Sequence, residues 1–200
     1  TPLYSSAASD VYKRQEAGKL HLVYSGIIDA IRNPIPLMEA MKAEFGESNA
    51  QVEWTFVGKV SEQVKDYVRS DSWLNSRIHF AGYVSHGEVF GFYSKADVLV
   101  LILTDTKNAQ GNIPGKLFEY LATGIPVLAL GDPRGDSAQI LQRAGSASVL
   151  AHTDHSEIRK QLRSLFESFT AGESTQGLDS YSRKNLSSQL AKILDDHTLS

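Results

Sequence analysis

NIPGKLFEYLATGIPVLAL, residues 112–130, moves from a Pro-Gly-Lys loop through a short helix and straight into an apolar strand. The helix reads from about Ile113 to Thr123 and is closed by Gly124; the strand reads from Pro126 to Leu130. Asn112 is the expected cap. With Asn112 in that role, the amides near Gly115 and Lys116 point outward, offering an anion backbone donors and roughly half a positive charge from the helix dipole. Gly115 lets an oxygen approach the backbone closely. Lys116 and Glu119 stand three apart, on one face of the first turns. A cation beside a carboxylate at a helix mouth suits a phosphate joined to a hydroxyl-rich group. The plainer alternative is a solvated ion pair worth a few tenths of a kcal/mol.

Outward from this stretch the same alternation repeats. Upstream, LHLVYSGII (Leu20 to Ile28), VEWTFVG (Val52 to Gly58), RIHFAGYV (Arg77 to Val84) and DVLVLIL (Asp97 to Leu103) read as strands. Between them lie a helix capped by Asn33 with Pro34 at its first position, a helix over Ser61 to Arg69, and one opened by a capping box of Ser85 and Glu88. The first of these helices carries Leu37, Met38, Met41 and Phe45 as its buried stripe. DVLVLIL is continuously apolar, as a strand covered on both faces should be. Downstream, SAQILQRAG and ASVL add a helix and a strand, EIRKQLRSLFESF is an amphipathic helix, and YSRKNLSSQLAKIL a terminal one. The sum predicts an α/β fold: a doubly wound, Rossmann-like parallel sheet of about six strands with helices on both faces.

Composition narrows the classes further. The net charge of −3 argues against binding nucleic acid, which needs a basic surface to neutralise phosphates. The absence of cysteine removes disulfides and thiolate metal sites and points to the cytoplasm. The longest apolar runs, Val98 to Leu103 and Ile125 to Leu130, fall far short of the ~20 residues of a transmembrane segment. The opening TPLYSSAASDVYKRQ (residues 1–15) has no structural period and reads as a non-native leader, such as translated adapter sequence, or as a disordered native tail. Residues 16–200 then form one domain, its only weak linker at Thr170 to Ser180.

In such a sheet, ligands bind beyond the carboxyl ends of the strands. Arg32, just before the Asn33 cap, places a guanidinium beside a second helix N-terminus on that edge, so Arg32 and Lys116 could together hold a diphosphate; alone, Arg32 is an ordinary surface arginine. HTDHSE (His152 to Glu157) suggests a metal site, but a helix cap by Asp154 or Ser156 explains the same letters more simply. Trp54 and Trp73 are expected in packing. The chain lacks a Gly-x-Gly-x-x-Gly after its first strand, a Walker loop and a Gly-x-Ser-x-Gly elbow.

The run GII…R…LMEA, FVG, IHFAGYV, YSKADVLVLIL and PGKLFEYLATGIPVLAL resembles the C-terminal, donor-binding domain of retaining glycosyltransferases of the GT-B fold, family four. The resemblance covers about Lys19 to Leu194. It implies that Glu119 holds the nucleotide ribose, that Arg32 stands at the family's phosphate-binding lysine, and that Gly82, Tyr83 and Val84 form the loop receiving the base. Arg32, Lys116 and Glu119 are thus the catalytic candidates. Gly26, Gly82, Tyr83, Val84, His86, Asn112, Ile113, Pro114, Gly115 and Leu117 make up the donor-binding set. Two positions depart from the pattern: Gly111 stands where the family has a glutamate contacting the donor sugar, and Ile27 where it has an arginine. Lys116 could compensate for the second.

The implied reaction moves a sugar from a nucleoside-diphosphate donor to an acceptor hydroxyl with retention, without an obligatory metal or cofactor. Negative charge builds on the leaving diphosphate, and removing one preorganised donor at such a charge typically costs ~10²–10³ in rate. The acceptor, a glycan or lipid-linked molecule, would be presented by an N-terminal domain absent from this chain. The expected location is cytoplasmic, including the inner face of the membrane as a peripheral protein. A nucleotide-sugar 2-epimerase fragment and a non-catalytic nucleotide-binding module are the alternatives; a receiver-like signalling domain would need an aspartate where Gly82 and Tyr83 stand.

Overall fold

The computed structural model describes residues 19–171, apart from 49, 105, 107, 108 and 146–148, and in it strands and helices alternate along the chain. The strands are β1 (Lys19–Ser25), β2 (Gln51–Val57), β3 (Ile78–Gly82), β4 (Val98–Ile102), β5 (Val127–Leu130) and β6 (Val149–Leu150). The helices are α1 (Ile35–Phe45), α2 (Glu62–Ser70), α3 (Ser72–Asn75), α4 (His86–Tyr93), α5 (Gly115–Thr123), α6 (Asp136–Arg143) and α7 (His155–Ala171), with a 3-10 turn at Ala109–Gly111. The strands form one six-stranded parallel sheet in the order β3-β2-β1-β4-β5-β6. This is the doubly wound order anticipated, in which the chain starts at the centre, builds to one edge and returns to build the other. The leader at 1–15 and the terminal helix expected over Tyr181 to Leu194 lie outside the described residues, as does the linker beyond Ala171; Thr170 and Ala171 still belong to α7.

The apolar patterning explains the layers. β4 is buried along its whole length: Val98, Val100 and Ile102 face one core, Leu99 and Leu101 the other. The first core takes Trp54 and Phe56 of β2 and the α1 stripe of Leu37, Met38, Met41 and Phe45, and is closed by Ile158 and Leu162 of α7. The second holds Tyr93 of α4, Leu117, Tyr120 and Leu121 of α5, and Leu141 of α6. Among the described residues, no helix is long and apolar enough to cross a membrane.

Two local expectations need correction, and one short element is added to them. α1 begins at Ile35 with Pro34 in the cap position, although the Asn33 side chain still accepts the Ile35 amide at 3.0 Å, as a cap would. α5 begins at Gly115 with Pro114 as its cap, so Asn112 lies too far upstream to cap it. Instead, the Asn112 side chain donates to Thr104 Oγ1 at 3.1 Å, and its carbonyl accepts from Ser137 Oγ at 2.6 Å. The single turn α3 had no period long enough to see; Asp71 caps it by accepting from the amides of Trp73 and Leu74. Where the cap follows simple stereochemistry the expectation holds. Gly124 closes α5 in the left-handed conformation (φ 70°), and Glu88 accepts from the amide and hydroxyl of Ser85 at 2.8 and 2.6 Å.

α1 and α7 are tied at their surface by Glu44, which accepts from Arg163 at 2.6 and 3.0 Å and from Arg159 at 3.3 Å. These arginines, Arg163 foremost, hold the Glu44 carboxyl below its usual range. The contribution is therefore present above the ordinary carboxylate value near 4 and is lost as pH falls through the lower, folded-state value. Urea unfolding at pH 7 and pH 3 should show wild type losing more stability on acidification than Glu44→Gln; an equal loss would remove this pair from the acid limb.

Candidate functional site

Because all six strands run the same way, their carboxyl ends share one rim. Three of them turn there through glycines with positive φ: Gly26 and Gly58 at 124°, Gly82 at 75°. The backbones at these turns lie against one another. The Gly26 amide donates to Val57 O at 2.8 Å and the Gly58 amide to Gly82 O at 2.7 Å. A Cβ on Gly58 would stand 2.2 Å from Gly26 O, and one on Gly26 would stand 2.9 Å from Lys116 Nζ. The floor at the ends of β1 and β2 is therefore bare backbone.

Above it opens a cleft of about 600 Å³. Ser25 lines it at the end of β1, Gly26 and Ile27 from the turn after β1, Gly58 and Lys59 from the turn after β2, and Tyr83 and Val84 from the turn after β3. His86, Val89 and Tyr93 of α4 form one wall; Pro114, Gly115, Lys116 and Glu119 at the mouth of α5 form the other. An adjoining cavity of about 220 Å³ is lined by Arg32, Asn112, Ile102 and Leu103, and it shares Gly26, Ile27, Pro114 and Lys116 with the first. Arg32 and Glu119 thus open onto neighbouring spaces with Lys116 between them.

No side chain caps α5, since Pro114 has no acceptor to offer, and its first turn faces the cleft. Lys116 leans back over this mouth, as helical side chains do. Its Nζ donates to Ser25 O at 2.7 Å and lies 4.1 Å from the centre of the Tyr24 ring. The solvated Lys116–Glu119 ion pair weighed above does not form: among the described residues, no carboxylate pairs with Lys116. Burial first, and the Arg32 charge second, push its amine down to about 7, against a smaller opposing influence of Glu119.

Ser25 is the hub beneath. Its Oγ lies 2.6 Å from the Tyr93 hydroxyl and 3.2 Å from that of Tyr120, and its amide donates to Tyr120 at 3.1 Å. Burial pushes the Tyr93 phenol up to about 12 and raises that of Tyr120 as well. Arg32 is held by Asp29 at 2.9 Å, and Asp29 also accepts the amides of Ile31 and Arg32, so the loop after β1 is an aspartate-centred turn.

Of the expected donor-binding residues, Gly26, Tyr83, Val84, His86, Pro114 and Gly115 line the main cleft and Asn112 the smaller cavity. Gly82 sits behind them, making the turn that presents Tyr83, a residue 89% exposed. Leu117 is a core residue, and Ile113 is exposed beside the cavities without lining either. Ser25, Gly58, Lys59 and Tyr93 were missed. The ending YSG could have flagged Ser25; nothing local in the sequence singled out Gly58, Lys59 or Tyr93. In HTDHSE, Asp154 caps α7 by accepting the Glu157 amide at 3.1 Å, and among the described residues no three His, Asp or Glu side chains cluster as metal ligands.

The chain belongs to the glycosyl transferases group 1 family, whose model matches residues 19–168. Its fold is that of the C-terminal half of GT-B proteins. It is similar to WaaG, a glycosyltransferase involved in lipopolysaccharide biosynthesis, with 18% identity and a TM-score of 0.61 over 83% of this chain and 45% of that one. It is similar also to the C-terminal domain of the group 1 family glycosyl transferase LpcC from Francisella tularensis, at 16% identity and a TM-score of 0.62 over 82% of this chain and 84% of that one. A third similar fold is Anabaena HepE, solved with UDP and glucose, at 15% identity and a TM-score of 0.57 over 90% of this chain and 49% of that one. The chain spans about half the length of WaaG and HepE. A search of curated proteins finds no match.

Proposed function

We propose that this chain is the donor-binding half of a retaining glycosyltransferase of GT-B family four, one that transfers a hexosyl group from a nucleoside-diphosphate sugar to an acceptor hydroxyl. The observation that carries this reading is the joined cleft, in which an uncapped helix mouth, Lys116 and Arg32 stand on one side of Glu119. In it, the amides of Gly115 and Lys116, the Lys116 ammonium and the Arg32 guanidinium neutralise the diphosphate. Glu119 accepts from the ribose hydroxyls, and Tyr83, Val84 and His86 surround the base. Four positive or donor groups supply what a metal would otherwise supply, so none is required. Gly111, whose Cβ position meets nothing within 4 Å, leaves the donor sugar to its neighbours Gln110 and Asn112. A glycan or lipid-linked acceptor is presented by a second, N-terminal domain, in the cytoplasm or at the inner membrane face.

Calorimetry against UDP, GDP, ADP and dTDP, with the matching monophosphates, tests this. At least one diphosphate should bind, and more tightly than its monophosphate. Arg32→Ala should weaken the diphosphate about tenfold to a hundredfold, the loss of one charge-assisted hydrogen bond. Absence of binding by all four diphosphates would end the proposal.

A further inference from the structure

We propose that Lys116 is a proton-accepting anion hook: seated between the Ser25 carbonyl and the Tyr24 ring with no carboxylate partner among the described residues, it takes one proton from solvent as the cleft captures a nucleoside diphosphate. This rests on the nucleotide reading above and specifies how the same site responds to its ligand.

The geometry is unusual for a surface lysine. Among the described residues its one hydrogen-bond acceptor, Ser25 O at 2.7 Å, is neutral, and the Tyr24 ring lies beside it. The charged and titratable groups around it are few. From β1 comes the Tyr24 phenol, raised by burial; from the loop after β1 come Arg32 and its partner Asp29. From α4 comes Tyr93, and from its own helix Glu119 and Tyr120, while Lys59 and His86 lie on the rim. The phenols stay protonated, and Arg32 repels an ammonium. Of the charged groups only Glu119 favours the ammonium, and it makes no ion pair with the amine; the Ser25 carbonyl and the Tyr24 ring favour it only as neutral groups. Nζ nevertheless stands over the bare turn at Gly26, where the two cavities meet, which is where a diphosphate would lie between Arg32 and the mouth of α5. The incoming negative charge reverses the local balance and favours the ammonium. The step is a simple protonation: the amine lone pair forms an N–H bond with a proton drawn from buffer, and nothing is oxidised or released.

By linkage, a group protonated more strongly in the complex makes binding weaken as pH rises above its free value. With that value near 7, Kd should rise by up to about tenfold per pH unit between pH 7 and 9 and level off towards pH 7. At pH 8 the nucleotide's own phosphates, with a second ionisation near about 6, are already fully charged and contribute no proton change.

The test is calorimetry of the full chain at pH 8 in HEPES and in Tris, whose ionisation heats differ, using whichever of UDP, GDP, ADP and dTDP binds. Uptake close to one proton per nucleotide is expected for wild type and close to none for Lys116→Arg, which stays charged throughout. Should that variant not fold, carbon NMR of the wild-type lysine side chains reads Lys116 directly; it should titrate near neutrality when free and remain charged in the complex. Binding without proton uptake, or equal uptake by the arginine variant, overturns this inference while leaving the nucleotide reading in place. No binding by any of the four overturns both.

Discussion

Gly58→Ala should be among the most damaging single substitutions in this chain, costing on the order of 4 kcal/mol. The methyl group would stand 2.2 Å from Gly26 O, backbone that cannot swing aside, on a residue with φ of 124°. A strained backbone costs about 1–3 kcal/mol and overpacking adds about 1–3 more, against a total stability of ~5–15 kcal/mol. Because the atom displaced is the Gly26 turn itself, the loss should appear in function too: nucleotide affinity should fall even under conditions where the variant remains folded. Gly91→Ala is the internal control. It lies inside α4 with nothing within 4 Å of its Cβ position, so it should be neutral or stabilising by up to about 1 kcal/mol. Urea midpoints of the three proteins decide the matter, and a Gly58 variant as stable as wild type would mean that the glycine floor is not a constraint.

The second large effect is expected at Glu119. A carboxylate accepting from two ribose hydroxyls forms charge-assisted bonds worth about 1.5–3 kcal/mol each, so Glu119→Ala should weaken a nucleoside diphosphate by about 10²-fold or more. The loss should depend on the sugar. Inorganic pyrophosphate, which has no ribose, should bind the variant about as well as wild type, because Lys116, Arg32 and the amides of α5 are untouched. Equal weakening for pyrophosphate and nucleotide would assign Glu119 to the electrostatics of the phosphate site and remove it from ribose recognition.

These two positions were not equally legible in the sequence. Glu119 stood out by its place after a helix mouth, and it lines the cleft. Gly58 did not, because one glycine after an apolar run reads as an ordinary strand end; only the pairing of β1 with β2 shows two such turns pressed together. The sheet was readable because continuous apolar runs such as Val98 to Ile102 can be buried only between two helical layers. Caps were less secure. Asn112 was a reasonable cap by residue type, but Pro114 holds the chain extended (φ −72°, ψ 140°) and delays the helix to Gly115, leaving Asn112 to Thr104 and Ser137. Lys116 illustrates a deeper limit. Spacing of three puts it on the face of Glu119, whereas the direction of helical side chains carries its amine back to the end of β1, to a carbonyl 91 positions earlier in the chain. No local pattern encodes such a partner. Tyr93 and Tyr120, which meet at Ser25, were invisible for the same reason.

The account depends on the mouth of α5 with Lys116, and Arg32 in the adjoining cavity, closing on a single diphosphate. A crystal structure of the full chain with a bound nucleoside diphosphate tests this most directly. The phosphates should lie within hydrogen-bonding distance of the Gly115 and Lys116 amides and of the Arg32 guanidinium, with the ribose on Glu119. A nucleotide seated elsewhere, or one whose phosphates point to solvent away from Arg32 and Lys116, would contradict it.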